Sequence, residues 1–470
     1  MPKVVPLLLL LGLGTIAACA QAPEPYWVDF TVTPTDEGVE IVADVQGGPA
    51  TAWVGFGVGP GATPVLVDQV EGVSAFSAEG ARLEISVAGR AAYRIETRGE
   101  PWQLIYRLRL RPRVDDGSFY RASTRGDAYI MLVGSDAWAR FYSDPNPLTL
   151  PPEARAAGTV SGATARFQLP TSEAQWKVVS TAWEEAPNTF AMRQHPVGSV
   201  FAMGPFDTTR LPEVAGLRIA LHPDWNIMPA RVEQMVAELL ASHREMLESP
   251  DNAQALVLLS PLPGPLTPRG SLRTAGMVRG QTLVVYAARA PRVPANHPDI
   301  AEAMAVFLGH ELFHLWVPTG VQVTRELSWL SEGWAMHMGR RAAVATGRLD
   351  EAGGTRRLSR AYRRYLDIGG YRAGSLPAAS TGPEEQRNLL YLRGELVFRL
   401  LEQEWNREHP ERPFERALWQ ALAAAYDGFE PLDAAAVRTI LTDLVDATTV
   451  RRYVEGQGPL TPDALGLAGQ

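Results

Sequence analysis

Cysteine and lysine are almost missing from this chain of 470 residues: the only cysteine is Cys19 and the only lysines are Lys3 and Lys177. One thiol cannot close a disulfide within one chain, so even an oxidising compartment would leave the fold without a covalent staple. The near-absence of lysine beside many arginines reflects the coding bias of the source and says nothing of function. Surplus positive charge is also lacking. Forty-four Lys and Arg against 52 Asp and Glu leave a formal net charge of -8 and a pI near 5.6, which argues against a nucleic-acid binder, for which a basic patch is expected. No long repeat or low-complexity tract stands out. The longest apolar run, VVPLLLLLGLGTIAA, is too short to span a bilayer comfortably. What remains is ordinary for a globular protein, 46% hydrophobic and 20% charged, with length for two or three domains.

The N-terminus reads as an address. Lys3 gives a thin positive region, the apolar run follows, and small residues precede Cys19, which fits a secretory signal over residues 1–19 that is no part of the fold. Its end, IAAC, resembles the lipobox of bacterial lipoproteins, whose cysteine becomes the lipidated first residue of the mature chain; a plain signal peptide with an incidental cysteine is the alternative. The resemblance implies export to a bacterial cell envelope, lipid-anchored through Cys19 or periplasmic. QAPEPYW then reads as a short tether.

From 20 to 210 the signals are strand-like. GVEIVADV, AWVGFGV, ARLEISVAG, AYRIETRG, QLIYRLRLRP, TARFQLP, WKVVSTAW and SVFAMGPF are separated by Gly, Pro and Asp, as in an antiparallel β-domain of sandwich type. Residues 138–158 are turn-rich and read as a linker within it. A second unit, 211–350, opens with LRIALHPDW as a strand and ARVEQMVAELLASHREML as a helix, followed by strands at ALVLLSPLP and TLVVYAARA. A helix then starts near Asp299, after the NHP breaker. The rest, 351–470, is mainly helical, and its Arg-rich segment GGTRRLSRAYRRYLD reads as a solvated helix face rather than a nucleic-acid surface. The fold class is therefore α+β.

Chemistry concentrates in GHELFHLW. Residues four apart lie one above the other on a helix, so His310 and His314 can present two imidazoles to one metal while Glu311 points beside it, placed to take a proton from bound water. Seventeen residues separate His314 from Glu332 in WLSEGW, which supplies a third ligand from a second helix. Two His and one Glu with an open fourth position are an established catalytic zinc shell, and they imply one zinc ion per chain. At average residue usage His-Glu-x-x-His arises by chance about once per hundred chains of this length, so Glu332 and the buried-helix context DIAEAMAVFLGHELFHLWV separate this site from two core histidines. His337, five residues past Glu332, is turned off the ligand face and reads as packing or support.

HELFHLW followed by SWLSEGW resembles the gluzincin peptidases, the group that includes aminopeptidase N. A third segment, LLYLRGELVFRLLEQEW, is similar to the helix that carries their catalytic tyrosine, with Tyr391 at the tyrosine position, Arg393 in place of a lysine and Gly394 retained. Near the C-terminus RRYVEGQGPLTPDALGLAG resembles the end of the catalytic region in the glycyl aminopeptidase family, and HPVGSVFAMGPF the approach to it. That likeness, from about residue 200 onward, leaves no room for the PDZ domain that members often carry afterwards. It implies a thermolysin-like zinc peptidase domain with Glu311 as general base, Tyr391 on the oxyanion, and a peptide or protein substrate.

One departure stands out. Such aminopeptidases anchor the substrate's free amine with a Glu upstream of the zinc motif, whereas AGMVRGQTLVV offers Val278 there, or GSLRT offers Arg273 in the other register. Exopeptidase and endopeptidase cleavage thus both stay open, with Glu302 or Glu326 as substitute anchors for an amine. A non-catalytic envelope lipoprotein that keeps the peptidase fold as a binding module is the other function class.

Overall fold

The computed structural model describes residues 26–467 apart from 57–68, 90–91, 111–122, 143–159, 172, 193–197, 212–215, 250–254, 263–271, 291–292, 295, 371–374, 383–385 and 429. The signal segment with Cys19 and most of the expected linker at 138–158 lie outside the described residues.

The N-terminal part is built on a seven-stranded sheet in the order 183–186, 189–192, 160–167, 26–35, 38–46, 102–109, 70–77. Strand Tyr26–Thr35 shows why. Tyr26, Val28, Phe30 and Val32 are buried while Trp27 is exposed, the period-2 pattern of a half-buried strand. Among the described residues the domain is antiparallel except for one pair: Tyr26–Thr35 runs parallel to Val160–Phe167. Phe167, Phe190, Phe201 and Trp138 pack edge-on or tilted beneath this sheet, with centroids 5.0 to 5.8 Å apart. Two four-stranded sheets complete the region.

One of these sheets, with strands 130–133, 177–180 and 200–204, shares a core with the sheet beyond it. Met131, Val133, Val179, Val200 and Ala202 meet Ala220, Leu256, Leu258, Met277 and Val284. That second sheet has five strands in the order 207–210, 218–221, 256–261, 282–289, 272–279. Asp207–Arg210 pairs with Arg218–Leu221, so the sheet spans the sequence boundary expected at 210/211. Its inner strands are parallel and buried on both faces, hence the continuous apolar runs LVLL and TLVVYAA. Leu272–Arg279 forms one antiparallel edge and Asp207–Arg210 the other.

Helices Val232–Leu247 and Pro298–Phe313 cover the other face of the sheet. Pro298 takes the first helical position, where a missing N–H costs nothing, and the His297 side chain accepts from the Asp299 amide. Helices Ser328–Ala345, Glu351–Asp367, Leu376–Thr381, Arg387–Glu408, Phe414–Ala425 and Ala434–Leu444 follow. Among the described residues no helix is long and apolar enough to cross a membrane.

Candidate metal centre and active site

Three helices meet at backbone contact, and their glycines set the spacing. A Cβ on Gly309 would come within 3.0 Å of Gly339, and one on Gly339 within 2.6 Å of the His310 amide nitrogen, so Pro298–Phe313 and Ser328–Ala345 cross with no side chain between them. Gly333 and Gly394 do the same for Ser328–Ala345 and Arg387–Glu408: a Cβ on either would lie 2.5 or 2.6 Å from the other's Cα. Trp334 stacks on Phe398 beside this second crossing, with centroids 5.8 Å apart. Glu332 and Tyr391 are thereby carried to the zinc-motif helix by residues adjacent or close in sequence to the crossing points.

His310 lies in the last turn of its helix and His314 is the residue that ends it. The two Nε2 atoms are 3.2 Å apart, and Glu332 Oε2 is 3.5 Å from the first and 3.4 Å from the second. Bonds of ~2.0 to 2.1 Å in a tetrahedral shell separate ligand atoms by ~3.3 Å, so the donor set fits a zinc ion. His314 Nδ1 lies 2.9 Å from the Val317 carbonyl oxygen. This bond places the ring proton on Nδ1 and leaves the Nε2 lone pair for a metal. Ser331, next to Glu332, donates to the same carbonyl at 3.2 Å. His310 Nδ1 is buried without a hydrogen-bond partner among the described residues.

Electrostatics agree with a cation site. Burial alone would favour neutral His314, but the Glu332 carboxylate, with help from Glu311 and the Val317 carbonyl, pushes its pKa up to about 9. Burial likewise opposes charge on Glu332, yet His314 and His310 hold it well below the usual carboxylate range. Without metal the triad therefore retains a proton, which zinc would displace.

Glu311 is buried on the same turn as His310. Its carboxylate abuts the edge strand: a Cβ on Gly276 would fall 2.3 to 2.6 Å from the carboxyl atoms. Residues alternate along that strand, so Val278 shares the face of Gly276, where it packs on the hydrophobic core beneath the sheet, while Arg273 lies on the opposite parity. Of these two positions, only Val278 thus stands on the side facing Glu311. Glu302 and Glu326 are not in the His310, His314 and Glu332 group, and Glu326 accepts instead from Thr324 Oγ1 at 3.4 Å.

Tyr391 stands across His310, ring centroids 6.0 Å apart. Arg393, two residues on, turns away from the site. It is buried and donates to Tyr365 Oη at 2.8 Å and to the carbonyls of Tyr453, Gly456 and Gly458 at 3.0, 3.2 and 3.4 Å. The YLRG and RRYVEGQG segments are therefore in contact, a link that no local pattern announces. His337 is also buried away from the triad, with Nδ1 3.3 Å from Arg340 Nη2. Burial, then Arg340, Arg341 and Arg399, keep it neutral, its pKa well below the ordinary value.

No protein-family profile and no curated protein matches the chain. Solved structures do. An aminopeptidase N family protein from Idiomarina loihiensis is 12% identical with a TM-score of 0.78, over 93% of this chain and 78% of that one. The M1 zinc metallopeptidase of Deinococcus radiodurans is 18% identical with a TM-score of 0.53, covering 93% and 94%. A mutant of that enzyme bound to the substrate Tyr-Ser-Ala is 16% identical with a TM-score of 0.53, covering 94% and 96%. The chain thus has the fold of aminopeptidase N-type zinc metallopeptidases, as its motifs imply.

Proposed function

We propose that this chain is an exported zinc-dependent peptidase of the gluzincin type, held at a membrane through a lipidated Cys19 and of the glycyl aminopeptidase kind. The observation that carries the reading is the convergence of His310, His314 and Glu332 donor atoms within 4.8 Å of one another, with the Glu311 carboxylate against Gly276 and the Tyr391 ring 6.0 Å from that of His310. Zinc held by those three residues supplies Lewis acidity, lowering the pKa of bound water and polarising the scissile carbonyl. Glu311 is the proton carrier. Fixed beside His310 and against Gly276, its carboxylate takes a proton from the attacking water and returns it to the leaving amine. Tyr391 donates its phenolic hydrogen to the developing oxyanion. Val278, apolar where an amine anchor would stand, lets the cleft accept substrates without a free N-terminus.

Metal analysis after gel filtration tests the site, with about one zinc per chain expected. His310→Ala, His314→Ala and Glu332→Ala each lose the metal, whereas Glu311→Gln keeps it and loses turnover of a peptide library. Zinc content near zero with no recovery on adding zinc would overturn the ligand assignment. Full zinc with no cleavage of any peptide would instead favour the binding-module reading.

A further inference from the structure

Twelve tryptophans occur in the chain, and the two that are exposed, Trp27 at 45% and Trp183 at 62%, lie on one face of the seven-stranded sheet. The register places them there. Trp183 pairs with Ala191, Ala191 with Thr164, and Thr164 with Asp29, so all four side chains share the outer face, and Trp27 is on the same side two residues from Asp29. Three strand spacings separate the two tryptophan strands, about 14 Å. The Trp27 ring leans towards Trp183 over Gly162, where a Cβ would sit 2.3 Å from its Cζ3. Between the rings the surface is small and weakly polar: Gly162, Thr164 and Ala191. Its one carboxylate, Asp29, is engaged by Trp27 Nε1 at 3.3 Å and by Thr164 Oγ1.

A single exposed tryptophan needs no explanation, but two large rings flanking a trough of small residues, whose one carboxylate is held by Trp27 and Thr164, form a patch built for contact. The position of the patch indicates its occupant. Cys19 precedes Trp27 by eight residues, which span at most about 28 Å fully extended, and the tether enters the fold on this very strand. Any membrane that holds Cys19 therefore lies within reach of Trp27. Tryptophan, apolar with one N–H, is the side chain that settles at the headgroup level of a bilayer. We propose that the outer face around Trp27 and Trp183 lies against the lipid headgroup layer of the membrane that anchors the protein. This rests on the lipid-anchor reading above.

The sole cysteine makes the test direct. The chain from Cys19 onward is coupled through that thiol to vesicles containing a maleimide lipid and phosphatidylcholine brominated near the headgroup, and tryptophan fluorescence is recorded. Coupling should quench it. Trp27→Phe and Trp183→Phe should each remove part of the coupling-dependent quenching, and the double variant most of it, with an unchanged melting temperature. Equal quenching in the wild type and the folded double variant overturns the proposal. So does retention of the uncoupled chain on peptidoglycan that is lost in the double variant, which would assign the face to glycan. Fatty-acid labelling of Cys19 in cells is scored separately. No labelling, with Cys19→Ser leaving localisation unchanged, removes the anchor and this inference with it; labelling without tryptophan-dependent quenching overturns the face alone.

Discussion

Replacing Gly394 by alanine probes whether the crossing of helices Ser328–Ala345 and Arg387–Glu408 sets the active-site geometry. The added Cβ would stand 2.6 Å from the Gly333 Cα, about 0.8 Å short of the 3.4 Å at which ordinary contact begins, and both neighbours are backbone, not flexible side-chain ends. The helices must part by roughly that distance. Overpacking of this kind costs about 1 to 3 kcal/mol, and the better helix propensity of alanine returns about 1 kcal/mol, so the melting temperature should fall by only a few degrees. Activity should suffer more. Tyr391 lies one turn before Gly394 and would move with its helix, away from the His310 ring 6.0 Å from it. Losing an oxyanion donor costs about a hundred- to a thousandfold in kcat, and a displacement near 1 Å costs about a hundredfold.

His310 and Glu332 sit on two helices that also cross at Gly309 and Gly339, a contact that Gly394→Ala leaves alone. Zinc per chain should therefore stay at the wild-type value while kcat falls towards that of Tyr391→Phe, with little change in KM. Three measurements on one preparation decide the matter: metal content, steady-state kinetics on a peptide found in a library digest, and thermal melting. Wild-type kcat in Gly394→Ala would refute the reasoning, because the crossing would then have slack that the geometry denies. Loss of zinc in step with activity would refute it differently, by showing that this contact holds Glu332 rather than Tyr391.

Two further outcomes follow from other parts of the molecule. His243 is fully buried against the Gly309 carbonyl, 2.8 Å from its Nε2, and burial lowers its pKa to about 4. The unfolded chain, with an ordinary value near 6.5, binds the extra proton first, so the His243 contribution is complete above pH 6.5 and falls by up to about 3 kcal/mol as pH drops to 4; urea midpoints at pH 7 and 4.5 should show this, and His243→Phe should lessen the dependence, leaving the part that buried His337 adds in the same direction. N-acetylated and free peptides of one sequence should be cleaved at rates within about tenfold, since a missing charge-assisted contact to the amine forgoes about 1.5 to 3 kcal/mol of discrimination. A strong preference for free N-termini would mean another carboxylate reaches the amine, and Val278→Glu should shift preference towards free amines if this strand lines the cleft.

What the sequence made legible was local or repeated. His310 and His314 could be read because helical geometry fixes four-residue neighbours, and the inner strands because burial on both faces leaves unbroken apolar runs. Glu332 was readable by type and spacing, but its arrival at the site depends on the Gly309 and Gly339 contact. Arg393 was legible only as a departure from a lysine. Its partners lie 28 and 60 to 65 residues away, and nothing local in YLRG says that a guanidinium will gather the carbonyls of the tail. Strand Tyr26–Thr35 alternates clearly, yet the proline-rich tether before it hid its start, and its parallel partner begins at Val160.

The segment Leu272–Arg279 was read for its motif and not as a strand, and the reason is physical. Met277 is its only buried residue, because an edge strand facing a cleft has a partner on one side alone. Glycine, threonine and arginine are what such an edge tolerates and what a hydrophobic pattern fails to register. The same lack of bulk lets Gly276 touch the Glu311 carboxylate, where any larger side chain would have to displace it. A strand shaped to leave space beside the proposed general base is therefore, for that reason, the hardest strand in this sheet to find from its residues.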